Sequence, residues 1–340
     1  MPRGFSRVLS PRVRAPPRAV RSGAAFAFAA PMSLPSLAGT LRVYRRDPST
    51  LVAFESGPSS PTGGTVVFVP GLTDGPMSLS YLPRLAEALA DADARRRTFR
   101  LCQPVLSSSY LGFGVSSLRR DCEELDDVIR GVGPAHPGGD KDVILVGHST
   151  GCQDAVAYCA RGAHASRLRA IILQAPVSDR EAMAMDAGED AIEAASATAA
   201  SLVAEGRGDR LMPRDAPGVF ATPITAERYA SLSGRMGDDD MFSSDLTDAE
   251  LEAKLKGVAE LGVPVMLAVS AGDQHVPARV KNDYGALEAR LFRAAGGERC
   301  AKSVVARQEG NHALEGEAGE RFVRDACRFI DALYDDEDDA

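Results

Sequence analysis

Tryptophan is missing altogether from these 340 residues. No apolar run reaches the ~20 residues that a membrane-spanning helix needs, which excludes a membrane span as the reading. Paired cysteines are missing too. Cys102, Cys122, Cys152, Cys159, Cys300 and Cys327 are scattered, with no C-x-x-C pair and no Cys/His spacing of the metal-binding kind. That pattern reads as reduced thiols in an intracellular compartment, not as a disulfide framework or a zinc site. Acidic residues are absent from residues 1–46, which hold nine arginines; a formal net charge of −8 for the chain therefore leaves −17 for the remainder. A body that acidic excludes nucleic-acid binding, which needs positive charge to displace counterions. No internal repeat is present.

What is there suits a globular protein with a sizeable core: 44% hydrophobic and 25% charged residues. The length fits one large α/β domain with an insertion, or two domains. Residues 1–35, rich in arginine, alanine, proline and serine, read as a transit peptide or as a disordered leader, with Met32 a second plausible start. The expected location is intracellular: plastid or mitochondrion if residues 1–31 are a transit peptide, otherwise cytoplasm. Residues 334–340, which include the acidic run at 335–339, read as a solvated tail.

Between these ends, short β-like runs alternate with amphipathic helices. "TLRVYRR" and "LVAFESG" form an opening hairpin around "DPST". Strands follow in "GTVVFVPG", "TFRLCQPVL", "DVILVGHS" and "LRAIILQAPV", with helices over 78–92, 117–132 and "TGCQDAVAYCARGA". The rhythm breaks over 179–257, which reads as helices and loops and is expected to form a lid. It resumes with the strands "VPVMLAVSAGD" and "SVVARQEGNH" and a closing helix. Strands and helices in this order predict a mostly parallel sheet covered on both faces, with the main domain over 36–333.

Gly147-His-Ser149-Thr-Gly151 lies between a predicted strand and a predicted helix, the context that makes G-x-S-x-G informative. A sharp turn there aims the Ser149 hydroxyl off the sheet edge, and side chains at the two glycine positions would clash with neighbouring backbone. The helix after it offers its positive end to an oxyanion. A serine nucleophile needs a base and an orienting acid. Chain order Ser, acid, His selects Asp273 and His312, each just beyond a late strand. His275 follows the acid too closely to face it and reads as a pocket-rim or surface residue. His136 and His164 fall in loop-like sequence, and His148 sits inside the turn. Asp179 also ends a core strand and is the fallback acid; its plainer role is a helix N-cap. The oxyanion donors are expected to be the N–H groups of Thr150 and Leu72, with Gly71 allowing close approach. The run "GDDDMFSSDL" has no D-x-D-x-D-G loop, so Asp238–Asp240 read as a solvated or capping cluster and not as a calcium site. No metal or cofactor is required.

Taken together, "FVPGLTDG", "QPVLSSSYLGFGVSSLRRD", "LVGHSTGCQDAVAY", "QAPVSDREA", "PITAERYASL", "GDDDMFSSDL", "GDQHVP" and "EGNHALEG" resemble the DUF1749 (UPF0613) branch of the α/β-hydrolases, which includes fungal siderophore esterases of the fusarinine C hydrolase type. The likeness covers most of residues 38–333. It implies an α/β-hydrolase fold and a serine hydrolase acting on an ester of a small molecule, with a siderophore-type ester within that class. It maps the nucleophile onto Ser149 and the base onto His312, and it supports Asp273 as the acid. Two alternatives remain open: a thioesterase or acyltransferase with the same triad, and a non-catalytic ligand-binding protein on a hydrolase fold.

Overall fold

The computed structural model describes residues 35–132 and 142–335. The leader expected over 1–35, apart from its last residue, lies outside the described residues. So do His136 and the tail from residue 336. Eight strands form one sheet: β1 (Thr40–Arg45), β2 (Leu51–Ser56), β3 (Gly64–Val69), β4 (Phe99–Pro104), β5 (Val143–His148), β6 (Leu168–Gln174), β7 (Val265–Ser270) and β8 (Val304–Gln308). Their spatial order is β1-β2-β4-β3-β5-β6-β7-β8. β1 and β2 are the antiparallel hairpin expected from the sequence, β2 runs antiparallel to β4, and every later pairing is parallel. This is the α/β-hydrolase architecture.

The central strands read as unbroken apolar runs because both of their faces are covered. Alternation still sorts the side chains. Val67, Val69, Leu145, Leu173 and Leu267 point into one core, and Val66, Phe68, Ile144, Ile172 and Met266 into the other. The first core is roofed by α2 (Leu118–Gly131), α3 (Gly151–Arg161), α7 (Asp248–Leu261) and α9 (Tyr284–Ala294); the second by α1 (Leu82–Ala90) and α10 (Glu317–Ala332). The remaining helices are α4 (Asp179–Ala187), α5 (Glu189–Ala204), α6 (Ala226–Ser233) and the single turn α8 (Ala278–Lys281).

Helices α4, α5 and α6 build a small core of their own. Met183, Ile192, Ala199, Tyr229 and Leu232 pack there with Phe113. The expected insertion boundary at 257 falls inside α7. That helix starts at a Thr247–Glu250 capping box and ends at Gly262 in the left-handed region. Its Leu251, Leu255 and Val258 join the main core. Residues 248–257 are therefore a crossover helix on the sheet, because their apolar face matches α3 rather than the α5–α6 layer.

Candidate active site

Five sequence-selected groups come to the C-terminal edge of the parallel strands, where open α/β sheets place their ligands. Leu72 follows β3, Ser149 and Thr150 follow β5, Asp273 follows β7 and His312 follows β8. Ser149 is held at φ +53°, a left-handed conformation that costs a non-glycine residue about 1–3 kcal/mol. Two hydrogen bonds hold it there: its N–H donates to the Gln174 carbonyl at 3.0 Å, and its carbonyl accepts the Cys152 N–H at 2.8 Å. The turn closes only because both flanking residues lack a Cβ. A Cβ on Gly147 would stand 2.3 Å from the Gly151 carbonyl oxygen, and one on Gly151 would stand 2.2 Å from the Val69 carbonyl oxygen.

Ser149 opens into a cavity of about 560 Å³, which is also lined by His312, Leu72, His275 and Asp179. His312 is buried, and its Nδ1 lies 2.7 Å from Oδ2 of Asp273. A carboxylate only accepts, so Nδ1–H donates and Nε2 is left to face the cavity as the basic nitrogen. The other Asp273 oxygen accepts the His275 N–H at 2.9 Å. With both oxygens engaged, the buried acid is fixed in place. Among the described residues no hydrogen bond joins Ser149 Oγ to His312. Such contacts are often long without substrate and tighten in the complex.

His312 sits between two other imidazoles, with ring centroids 4.9 Å from His148 and 4.6 Å from His275. Burial lowers the His148 pKa to about 3, helped by the positive form of His312. Burial and His312 also lower the pKa of His275. Both neighbours are thereby biased toward the neutral form. His148 does not reach toward Ser149: its Nδ1 bonds Oε1 of Gln174, which also accepts the Tyr81 hydroxyl at 3.1 Å. The Gln174 amide in turn donates to the His312 carbonyl at 3.2 Å. The His312 N–H donates to Oε1 of Gln274 at 3.0 Å. Sequence reading overlooked Gln174 and Gln274. The available signal for Gln174 was a polar residue closing an otherwise apolar strand.

Among the described residues no hydrogen bond or ion pair joins Asp179 to His312; the acid partner of His312 is Asp273. Asp179 accepts the Thr150 hydroxyl at 3.1 Å and the Gln153 amide at 2.7 Å. It is not the helix cap either, because Ser178 accepts the Glu181 N–H at the start of α4. Burial, with Asp239 nearby, pushes the Asp179 carboxyl up to about 7, against the pull of Arg228. Among the described residues neither the Leu72 nor the Thr150 N–H donates to a backbone carbonyl. Gly71 lies against Ser149, since a Cβ there would be 2.8 Å from Ser149 Cβ.

The Asp238–Asp240 cluster is mostly not solvated. Asp239 and Asp240 are buried; only Asp238 is exposed. Asp239 pairs with buried Arg228 at 2.5 Å and accepts the Ser231 hydroxyl at 2.5 Å. Asp240 pairs with Arg180 at 3.4 Å and accepts the Met236 N–H at 2.8 Å. Adjacent carboxylates can be buried together when each faces its own cation, and a linear sequence does not display that cation.

Comparison with known proteins adds independent information. The model of a family described as "Protein of unknown function (DUF1749)" matches residues 32–331. A UPF0613 protein of Schizosaccharomyces pombe is 34% identical over an alignment spanning 56% of this chain and 60% of that protein. The fusarinine C esterase of Aspergillus fumigatus is 31% identical, over 73% of this chain and 80% of its own. Among solved structures, a siderophore hydrolase from Aspergillus fumigatus aligns with a TM-score of 0.66 and 30% identity, covering 88% of this chain and 98% of that one.

Proposed function

The chain belongs to the DUF1749 family of α/β-hydrolases, and from that membership we propose that it cleaves carboxylic esters of small molecules through a Ser149–His312–Asp273 triad. It is a carboxylic-ester hydrolase, as its esterase relatives are. Ser149 Oγ attacks the ester carbonyl and passes its proton to Nε2 of His312. Asp273 holds Nδ1–H and stabilises the imidazolium without taking the proton. The N–H groups of Leu72 and Thr150 receive the oxyanion, and the positive end of α3 adds to their field. Collapse of the tetrahedral adduct returns the proton to the leaving alkoxide, which departs as the alcohol and leaves an acyl-enzyme. Water activated by the same imidazole then releases the acid and frees Ser149.

The observation that carries this reading is the 2.7 Å contact between His312 and the buried Asp273, on the rim of the cavity into which a strained Ser149 opens. A siderophore-type ester is the finer proposal within the class. It is supported by the fusarinine C esterase and the siderophore hydrolase of Aspergillus fumigatus. The test is a fluorophosphonate probe followed by mass spectrometry of the labelled peptide. Ser149 should carry the label, and Ser149→Ala should lower kcat by roughly three or more orders of magnitude. Labelling elsewhere, or full turnover by Ser149→Ala, would overturn the triad.

A further inference from the structure

The proposed substrate cavity is lopsided in charge. Asp74 comes from the loop after β3, Asp179 from the first turn of α4 and Asp186 from its last turn, so three separate points on the wall carry carboxyl groups. Among the described residues that line it there is no lysine or arginine. Asp179 is engaged by Thr150 and Gln153. Asp74 and Asp186 form no ion pair among the described residues, although nearby arginines are paired: Arg180 of α4 with Asp240 and Asp245, and Arg279 of α8 with Glu181 and Glu189. Asp186 lies on the solvent side of the mouth and acts electrostatically on His275. Asp74 is half-buried on the inner side, close enough to His312 to feel its charge. The wall also carries apolar Met183, Met185 and Leu232 beside the polar Ser149, Gln274, His275 and His312, and Phe220 lines it with 67% of its surface exposed.

A ligand in this cavity meets carboxyl groups on two sides that no lysine or arginine on the described wall neutralises; Asp74 is held by Ser78 and the Gly71 backbone, and burial raises its pKa. An ammonium group is attracted by the carboxylates and can rest against the face of an aromatic ring. A carboxylate or phosphate ligand would be repelled by these carboxylates and would find no lysine or arginine among the described wall residues, only imidazoles. The acidic body, −17 beyond residue 46, extends the same preference to the approach, because a low-dielectric cleft of one sign concentrates ligands of the other.

We propose that this cavity selects esters bearing a positive charge, such as an ammonium group, and rejects anionic esters, with Asp74 and Asp186 as the specificity-determining residues. The inference rests on the esterase reading above. It concerns which small-molecule ester is taken, not how the bond is broken.

Two matched substrate series test it. One is a set of para-nitrophenyl hexanoates whose far end carries trimethylammonium, tert-butyl or carboxylate. The other comprises butyrate esters of choline, of its tert-butyl isostere and of a carboxylate-ended alcohol. Trimethylammonium and tert-butyl have the same shape, so their ratio of kcat/KM reports charge alone. The cationic ester should lead its neutral isostere by roughly tenfold or more in at least one series, and the anionic ester should trail both. Asp74→Asn and Asp186→Asn should each lower the cation-to-neutral ratio, and together they should bring it close to unity. A ratio at or below unity in both series, an anionic ester turned over as fast as the neutral one, or a ratio unmoved by both substitutions would overturn the selection. The esterase reading would survive those outcomes. Failure to hydrolyse any of the six esters would remove the esterase reading, and this selection with it.

Discussion

Single atoms decide whether Ser149 can act. Gly71 is the sharpest case, because a Cβ there would stand 2.8 Å from Ser149 Cβ and 3.4 Å from its Oγ. Gly71→Ala should lower kcat about a hundredfold by displacing Ser149, the proposed nucleophile, while the far-ultraviolet circular dichroism stays that of the wild type. Unchanged kcat would mean that the loop gives way. The two candidate acids separate by the same logic. Asp273→Asn should cost roughly three to four orders of magnitude in kcat, because the amide favours the wrong imidazole tautomer. Asp179→Asn alters the hydrogen bonds to Thr150 and Gln153 and should cost far less. The reverse order would exchange their roles.

Asp179 also makes a pH prediction. Its carboxyl rises on folding from 3.8 to about 7, chiefly through burial. A group raised on folding contributes stability at low pH and loses it as pH climbs through the folded value. His148 works the other way. Its pKa falls from 6.5 to about 3, so its contribution is present above 6.5 and lost as pH falls toward 3. The two oppose each other in mildly acid solution, so the net slope of the wild type is not diagnostic, but the difference from a variant is. Asp179→Asn should gain in thermal midpoint relative to the wild type as pH goes from 5 to 8, by roughly 2–4 °C for each kcal/mol involved. A midpoint difference that does not change with pH would contradict the assignment.

At the scale of elements, Arg228 joins the α4–α6 layer to the body. It stands on α6, is 3% exposed, and pairs with the fully buried Asp239. Its Nε–H donates to the Phe113 carbonyl at 3.2 Å, on the body side of the site. Asp121 of α2, Asp154 of α3 and Asp179 of α4 feel the same guanidinium. Removing the cation leaves buried carboxylates without compensation. Arg228→Ala should therefore destabilise the protein by about 3–5 kcal/mol in chemical denaturation. A loss below about 1 kcal/mol would show that water replaces the guanidinium. The sequence signals of α6 offered no hint of this, since an arginine on a short helix normally lies at the surface. Helices α2 and α10 were legible because a continuous apolar stripe faces one sheet. The boundary of the insertion was misplaced because the spacing of Leu251, Leu255 and Val258 says only that α7 has an apolar face, not which layer it covers.

For the whole molecule, charge gives the measurable consequence. If cationic esters are steered by the acidic body and the cavity together, kcat/KM for the trimethylammonium ester should fall between ~10 mM and ~150 mM salt, over which the Debye length shrinks from about 30 to about 8 Å. The neutral isostere should barely respond. Equal responses would mean that salt acts on the enzyme and not on the encounter.

Local pattern alone determined the strand and helix sequence, the parallel sheet and the turn that presents Ser149. Each depends on residues adjacent in the chain: apolar alternation, helical periodicity, and glycines on either side of one serine. The order of the candidate triad was likewise readable, because parallel strands bring every loop after a strand to the same edge. Partners separated by long stretches of chain were decided only by tertiary packing. Gln174 holding the ring of His148 and the backbone of His312, Arg228 meeting the Phe113 carbonyl, and Asp74 and Asp186 sharing a cavity wall are juxtapositions of burial and charge. Burial and charge act through space, and a sequence does not record which distant groups will share that space.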